Sequence, residues 1–305
     1  MSKVLIVGSV AYDALRTPFG SVERALGGSA TYSSIAASLF APVAMVGVVG
    51  EDFRASDLAL LRRKGIDTTG IRREKGRTFF WKGYYDGDMS VAHTVRTELN
   101  VFAGFDPVIH PAYRRTPFLF LANIHPALQE SVLDQMKKPE YVVLDTMNLW
   151  IQTRRAALIR VLKRVDLAVL NDQEVRLLTG ITSLSLAARK VRSWGPKTVI
   201  VKKGEHGALV VGSGWSFLTH AVPLERVVDP TGAGDSFAGG LVGYLASKGR
   251  VDARTLREGV VAGSLVASFT VQGFSVKALT GLTISRLKSR FEYFRGLSEI
   301  PRIRV

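Results

Sequence analysis

Short apolar, β-branched runs alternate along this chain with amphipathic stretches. "KVLIVGSV" predicts a buried strand, and "GSATYSSIAASLF" a helix that begins at a glycine pair; "VAMVGVVG" and "FRASDLALLRRKG" repeat the strand-then-helix order. Further on, the strand patterns "PFLFLANI", "YVVLDT", "DLAVLND" and "TVIVKKG" are separated by the helical patterns "PALQESVLDQMKK", "TRRAALIRVLKRV" and "SLAARKVRSWG". Strands that are apolar throughout, rather than at every second position, are buried on both faces, and their alternation with helices predicts a parallel sheet covered on both sides. The expected fold class is therefore α/β, a doubly wound, mostly parallel sheet flanked by helices.

One region breaks the alternation. Residues 70–103 hold aromatic and β-branched strand formers, among them Phe79, Phe80, Trp81 and Tyr84, with glycine turns and no 3.6-residue period. They predict a few antiparallel strands forming a small β-sheet lid, joined by residues near 12–26, inserted in a single domain spanning 1–305. The last third, from "GDSFAGGLVGYLASKG" onward, reads as helical, and there is no internal repeat.

Composition narrows the function. The 305 residues are 47% apolar and 22% charged, as in a globular protein, with 41 basic against 26 acidic side chains for a net charge of +15. The basic residues are scattered in doublets and are not interleaved with aromatics in one motif, so the expectation is a surface that welcomes anionic ligands and not a nucleic-acid partner. With no cysteine there is no disulfide, thiolate nucleophile or sulfur ligand. The five histidines, at 93, 110, 125, 206 and 220, lack the HxxxH spacing of a zinc hydrolase. No run of 18 apolar residues exists, so no membrane partner is expected and the cytoplasm is the expected compartment.

The densest chemistry lies in "DPTGAGDSFAGG", residues 229–240. Gly232 and Gly234 allow positive φ and close approach of a ligand to the backbone, and the helix that follows offers unpaired N–H groups and the positive end of its dipole. Gly232, Ala233 and Gly234 thus form a candidate anion hole. Asp235 falls in the first helical turn, where two readings are open: a helix cap, or a carboxylate that accepts the proton of an attacking hydroxyl while the amides stabilise a transferred phosphoryl group. A Walker loop is absent, and the dinucleotide pattern GxGxxG fails because residue 237 is Phe.

"DPTGAGDSFAGGLVGYLA" resembles the C-terminal signature of the phosphofructokinase-B, or ribokinase-like, family of sugar and nucleoside kinases. "GSVAYDALRTPFG" with "ALGGSATYSSIAA", then "LNDQEVRLLTG", then "VIVKKGEHGALV", resemble the family's other blocks, in family order over nearly the whole chain. The resemblance implies ATP and Mg²⁺ as cofactors, with Asp235 as catalytic base beside the Gly232–Gly234 anion hole. Asn171 and Glu174 match its NxxE pattern, which organises magnesium and its waters near the phosphates; the same residues also read as a helix start with an N-cap. Asp13, Gly27 and Gly28 would bind the acceptor substrate, and Lys202, Gly204, Gly207, Ser264 and Gly273 would line the nucleotide. A β-turn-β hairpin competes for Gly204 and Gly207, and helix packing for Ser264 and Gly273. Asp229 and Thr231 resemble the site where several members bind K⁺. Two positions depart from the pattern: Tyr32 stands where many members have asparagine, and Pro230 where ribokinase-type sequences more often have threonine.

The expected function is ATP-dependent phosphorylation of a primary hydroxyl on a ribosyl-type small molecule. A nucleoside is preferred over a free sugar because "GGSATY" resembles nucleoside-kinase-like members. A catalytically silent nucleotide or sugar sensor is the alternative of another class. A homodimer through the edge of the lid is also expected.

Overall fold

The structure, a computed structural model, describes residues 3–89 and 91–297. Thirteen strands run in chain order: β1 (Val4–Val7), β2 (Ala11–Thr17), β3 (Gly20–Gly27), β4 (Val43–Gly50), β5 (Ile66–Glu74), β6 (Phe79–Tyr85), β7 (Ala92–Glu98), β8 (Phe118–Leu121), β9 (Tyr141–Asp145), β10 (Leu167–Asn171), β11 (Thr198–Lys202), β12 (Ala208–Val211) and β13 (Ser216–Thr219). The helices are α1 (Ser29–Ala37), α2 (Ala55–Arg63), α3 (Pro126–Gln135), α4 (Asn148–Thr153), α5 (Arg155–Leu162), α6 (Asp172–Thr179), α7 (Leu184–Arg192), α8 (Ala233–Lys248), α9 (Ala253–Thr270), α10 (Lys277–Thr280) and α11 (Ile284–Leu297).

Nine strands form one sheet in the order β13-β12-β11-β10-β9-β8-β1-β4-β5. Pairing is parallel from β11 to β5 and antiparallel only for the β11-β12 and β12-β13 hairpins. β1 shows why its sequence is apolar at every position. Val4 and Ile6 enter a core shared with α1, α8 and α9, whereas Leu5 and Val7 enter a second core shared with α3, α5 and α7, and all four are fully buried. The doubly wound α/β expectation holds.

The second sheet has the order β3-β2-β6-β7. It consists of two antiparallel pairs, β2-β3 and β6-β7, joined by parallel pairing of β2 with β6, so the wholly antiparallel lid expected from the sequence is corrected to a mixed sheet. Residues 70–74, expected within the lid segment, belong instead to β5 and pair in parallel with β4 at the edge of the large sheet. Among the described residues, no helix is long and apolar enough to cross a membrane.

Parallel strands place all their carboxyl ends on one rim, and the connections leaving that rim carry the polar residues singled out in the sequence.

Candidate active site

α8 is capped at its start by Gly232, whose φ of 75° lies in the left-handed region. A Cβ there would meet the Tyr32 ring at 2.5 Å, so both the backbone conformation and the packing call for glycine. The chain entering this turn is held by Asp229, a buried carboxylate that accepts from Thr231 N at 2.8 Å and from Ser275 N at 3.2 Å. Further along α8, Gly239 serves packing instead: a side chain there would collide with the backbone of Ser33 in α1.

Asp235 occupies the first turn of α8, half-buried. Burial and the neighbouring Asp145 carboxylate push its pKa up to about 7, against the downward pull of Lys202. Lys202 ends β11, and its Nζ lies 3.4 Å from Asp145 Oδ1 and 3.5 Å from Oδ2 at the end of β9. The same ammonium stands against Gly234, 3.0 Å from the position of a Cβ there, and so beside the start of α8. Burial works against the charge on Lys202, but Asp145, Glu174 and Asp235 outweigh it and hold its pKa above the ordinary value. A cation fixed beside the N–H groups of a helix start is an arrangement that receives phosphate.

Asn171 and Glu174, between β10 and α6, form a reciprocal capping box: Asn171 N donates to Glu174 Oε2 at 2.6 Å, and Glu174 N donates to Asn171 Oδ1 at 2.7 Å. The helix-start reading of "NDQE" is thus realised. Burial raises the Glu174 pKa to about 7, with Lys202 opposing and Asp145 adding to the rise. No group of three or more His, Cys, Asp or Glu side chains among the described residues could hold a metal ion by itself. A magnesium site here fits only the mode in which one or two carboxylates share the ion with waters and substrate phosphates, which Glu174 at this rim satisfies.

Asp13, on β2, is 8% exposed and lies near enough to Asp235 for their charges to interact. Burial, with Asp229 and Asp235 nearby, drives its pKa up to about 8. Gly27 abuts its carboxylate so closely that a Cβ would overlap Asp13 Oδ2. Gly28, at φ 95°, allows the turn from β3 into α1. Tyr32 is buried behind Gly232, and burial together with Asp13, Asp229, Asp235 and Tyr85 pushes its phenol well above the ordinary value.

Asp13, Tyr32, Asp229 and Asp235 are therefore close enough to act on one another electrostatically, with Gly27 against Asp13, and Lys202, Glu174 and Asp145 are linked to Asp235 in the same way. The remaining expected nucleotide residues stand apart. Gly204 and Gly207, both with positive φ, turn the chain between β11 and β12, as the hairpin reading requires. Ser264 is buried within α9, where its Oγ donates to Val260 O at 3.0 Å. Gly273 sits in the loop after α9 that Ser275 ties to Asp229. Two residues escaped the sequence reading. Asp145 was signalled by a carboxylate ending the buried strand pattern "YVVLDT", the same logic that singled out Asp13. Tyr85, whose hydroxyl accepts from Thr231 Oγ1 at 3.3 Å and joins the small sheet to the glycine loop, carried no local signal.

Residues 1–280 match the model of the pfkB family carbohydrate kinases. The cytidine kinase of Thermococcus kodakarensis is 32% identical over 255 residues, covering 82% of this chain and 90% of that protein. Among solved structures, a putative ribokinase II from E. coli in complex with ATP and Mg²⁺ superimposes with a TM-score of 0.80 at 18% identity, covering 96% of this chain and all of that one. The nucleoside kinase of Burkholderia thailandensis in complex with inosine gives 0.77 at 21% identity, covering 96% and 98%. The chain belongs to the pfkB family of kinases.

Proposed function

We propose that this pfkB kinase transfers the γ-phosphoryl group of ATP to the primary hydroxyl of a nucleoside, with Asp235 as general base. The observation that carries the reading is Asp235 in the first turn of α8, with Lys202 against the same helix start and Asp13 near enough for its pKa to be raised by the Asp235 charge. The γ-phosphate would lie on the amides of Gly232 and Gly234, and on that of Ala233 where it gives up its turn bond to Pro230 O at 3.1 Å, with Lys202 neutralising its charge. The acceptor hydroxyl loses its proton to Asp235 as its oxygen bonds to phosphorus and the bond to the bridging oxygen of ADP breaks. A base with a pKa near 7 is matched to that task at neutral pH.

Asp13, protonated at neutral pH by the same environment, can both donate to and accept from ribose hydroxyls. Gly27 and Gly28 let the sugar approach the backbone. Asn171 and Glu174 would hold Mg²⁺ through waters, and the ion, when bound, supplies charge neutralisation on the phosphates. Gly204, Gly207, Ser264 and Gly273 would flank the nucleoside half of ATP. A monovalent cation such as K⁺ would come to Asp229 and Thr231, since Asp229 is buried with no cationic partner among the described residues.

The cytidine kinase relative and the inosine complex of a structural neighbour support a nucleoside as acceptor. The test is ADP release by the pure protein with ATP and Mg²⁺ against cytidine, inosine, other nucleosides, ribose and fructose. Turnover with a nucleoside is expected; turnover with free sugars alone would overturn the acceptor while keeping the phosphotransfer, and no turnover with ATP still bound would favour a sensor.

A further inference from the structure

The order of strands along the carboxyl rim sets which connections neighbour one another. Lys202 ends β11 and Asn171 ends β10, whereas Ser9 follows β1 at the acceptor end; between them come β9, which ends in Asp145, and β8. Adjacent strands lie about 4.8 Å apart, so the segment leaving β8 is one strand from the acceptor end and roughly 10 Å from the β10 rim.

That segment begins with Asn123. β8 is in register with β1, Leu121 opposite Val7, and Ala122 N donates to Val7 O at 3.0 Å. Ser29, which directly follows the glycine pair, ties the two connections together. Its Oγ donates to Asn123 O at 3.2 Å and accepts from Ser9 N at 3.1 Å. The Asn123 carbonyl is thereby tied to Ser29, the residue after Gly28, by a single side chain.

Its amide is also oriented. Trp150, on α4 beyond β9, donates from Nε1 to Asn123 Oδ1 at 3.0 Å. An indole N–H only donates, so the amide oxygen must face the tryptophan, and the NH₂ group is turned the other way. Asn123 is half-buried, and its Nδ2 makes no hydrogen bond within the described residues and is open to solvent or a ligand. His125 packs edge-on against Trp150 at 5.0 Å between ring centroids and holds the indole in place.

We infer that Asn123, clamped by Trp150, reads the heterocycle of the acceptor nucleoside, its Nδ2 donating to a carbonyl oxygen or unprotonated ring nitrogen on the edge of the base. The inference rests on the nucleoside reading given above. A fixed donor with no competing partner discriminates more strongly than apolar contact, because a ligand lacking the acceptor atom leaves the amide unsatisfied.

The test compares cytidine with a riboside that has no base, 1-O-methylriboside, under saturating ATP. Asn123→Asp keeps an oxygen to accept from Trp150 and removes the donor. The expected result is a fall of about tenfold or more in the ratio of kcat/KM for cytidine to kcat/KM for the methylriboside, carried by KM for cytidine. Trp150→Phe, which frees the amide to rotate, lowers the same ratio by a smaller factor. An unchanged ratio in Asn123→Asp, with wild-type protein active on cytidine, overturns the inference and leaves the nucleoside reading standing. Wild-type turnover of ribose or fructose with none of any nucleoside overturns both.

Discussion

The Lys202 ammonium stands 3.4 Å from the Asp145 carboxylate across 57 residues of sequence, at the ends of two strands separated by one other. The pair is largely buried, with side-chain exposures of 17% and 5%. Lys202 also stands beside the start of α8, and the two members of the pair act on Asp235 in opposite directions.

Removing one member of such a pair strands the other's charge. Asp145→Leu is expected to lower stability by roughly 3 kcal/mol, near the lower end of the range for buried pairs because Lys202 retains some solvent contact. The double variant Asp145→Leu/Lys202→Met should recover most of that loss and still bind ATP poorly. Urea titrations of the three proteins, with KM for ATP, check both halves. Equal losses in the single and double variants would mean that the residues matter for packing and not as a charge pair.

The pH dependence of turnover follows from Asp235. A base with its pKa at about 7 must lose its proton to work, so kcat/KM should fall below pH 7 instead of near pH 4 as for an ordinary carboxylate. Lys202 holds that pKa down and Asp145 holds it up. Lys202→Met should therefore move the acidic limb to higher pH, and Asp145→Asn should move it lower. The pH profile of each variant measures the shift.

Asp13 makes stability depend on pH. Its folded pKa of about 8 lies above the ordinary 3.8, so the folded state holds this proton more tightly. The resulting stabilisation is present in full below pH 4 and is lost as pH rises toward 8. Asp13→Asn, which cannot ionise, should gain thermal stability over the wild type as pH increases from 5 to 8.5. Thermal midpoints at those two values decide the matter; a difference that does not grow with pH would contradict the buried, protonated Asp13.

Gly27→Ala would drive a methyl group into the Asp13 carboxylate. The acceptor end must shift while the Lys202 end is untouched, so KM for the acceptor should rise by about tenfold or more with KM for ATP nearly constant. A rise in both would indicate general misfolding of the β3 to α1 turn.

Most of the fold was legible because strands buried on both faces must be apolar throughout, as β1, β4 and β8 are. The start of α8 was legible because glycines just before an apolar helical pattern favour a left-handed turn, which Gly232 makes at φ 75°, putting Asp235 in the first turn. The edge strand β5 was not: its final residues "GIRRE" are mostly polar, with Ile71 alone packing on the core, so its pairing with β4 could not be read locally. The parallel pairing of β2 with β6 and the meeting of Lys202 with Asp145 depend on contacts distant in sequence. "NDQE" shows a third case, in which one spacing satisfies a helix cap and supplies a carboxylate to the rim at once, so that local sequence alone could not separate the two.

The central claim, that Asp235 is the base beside an anion-binding helix start, is tested most directly with Asp235→Asn, which preserves shape and removes the proton acceptor. The measurement is single-turnover phosphoryl transfer from ATP to a nucleoside, paired with calorimetric binding of ATP. The account predicts ATP affinity retained and the transfer rate reduced by about 10²-fold or more. Transfer at the wild-type rate would contradict it and return Asp235 to the role of a helix cap.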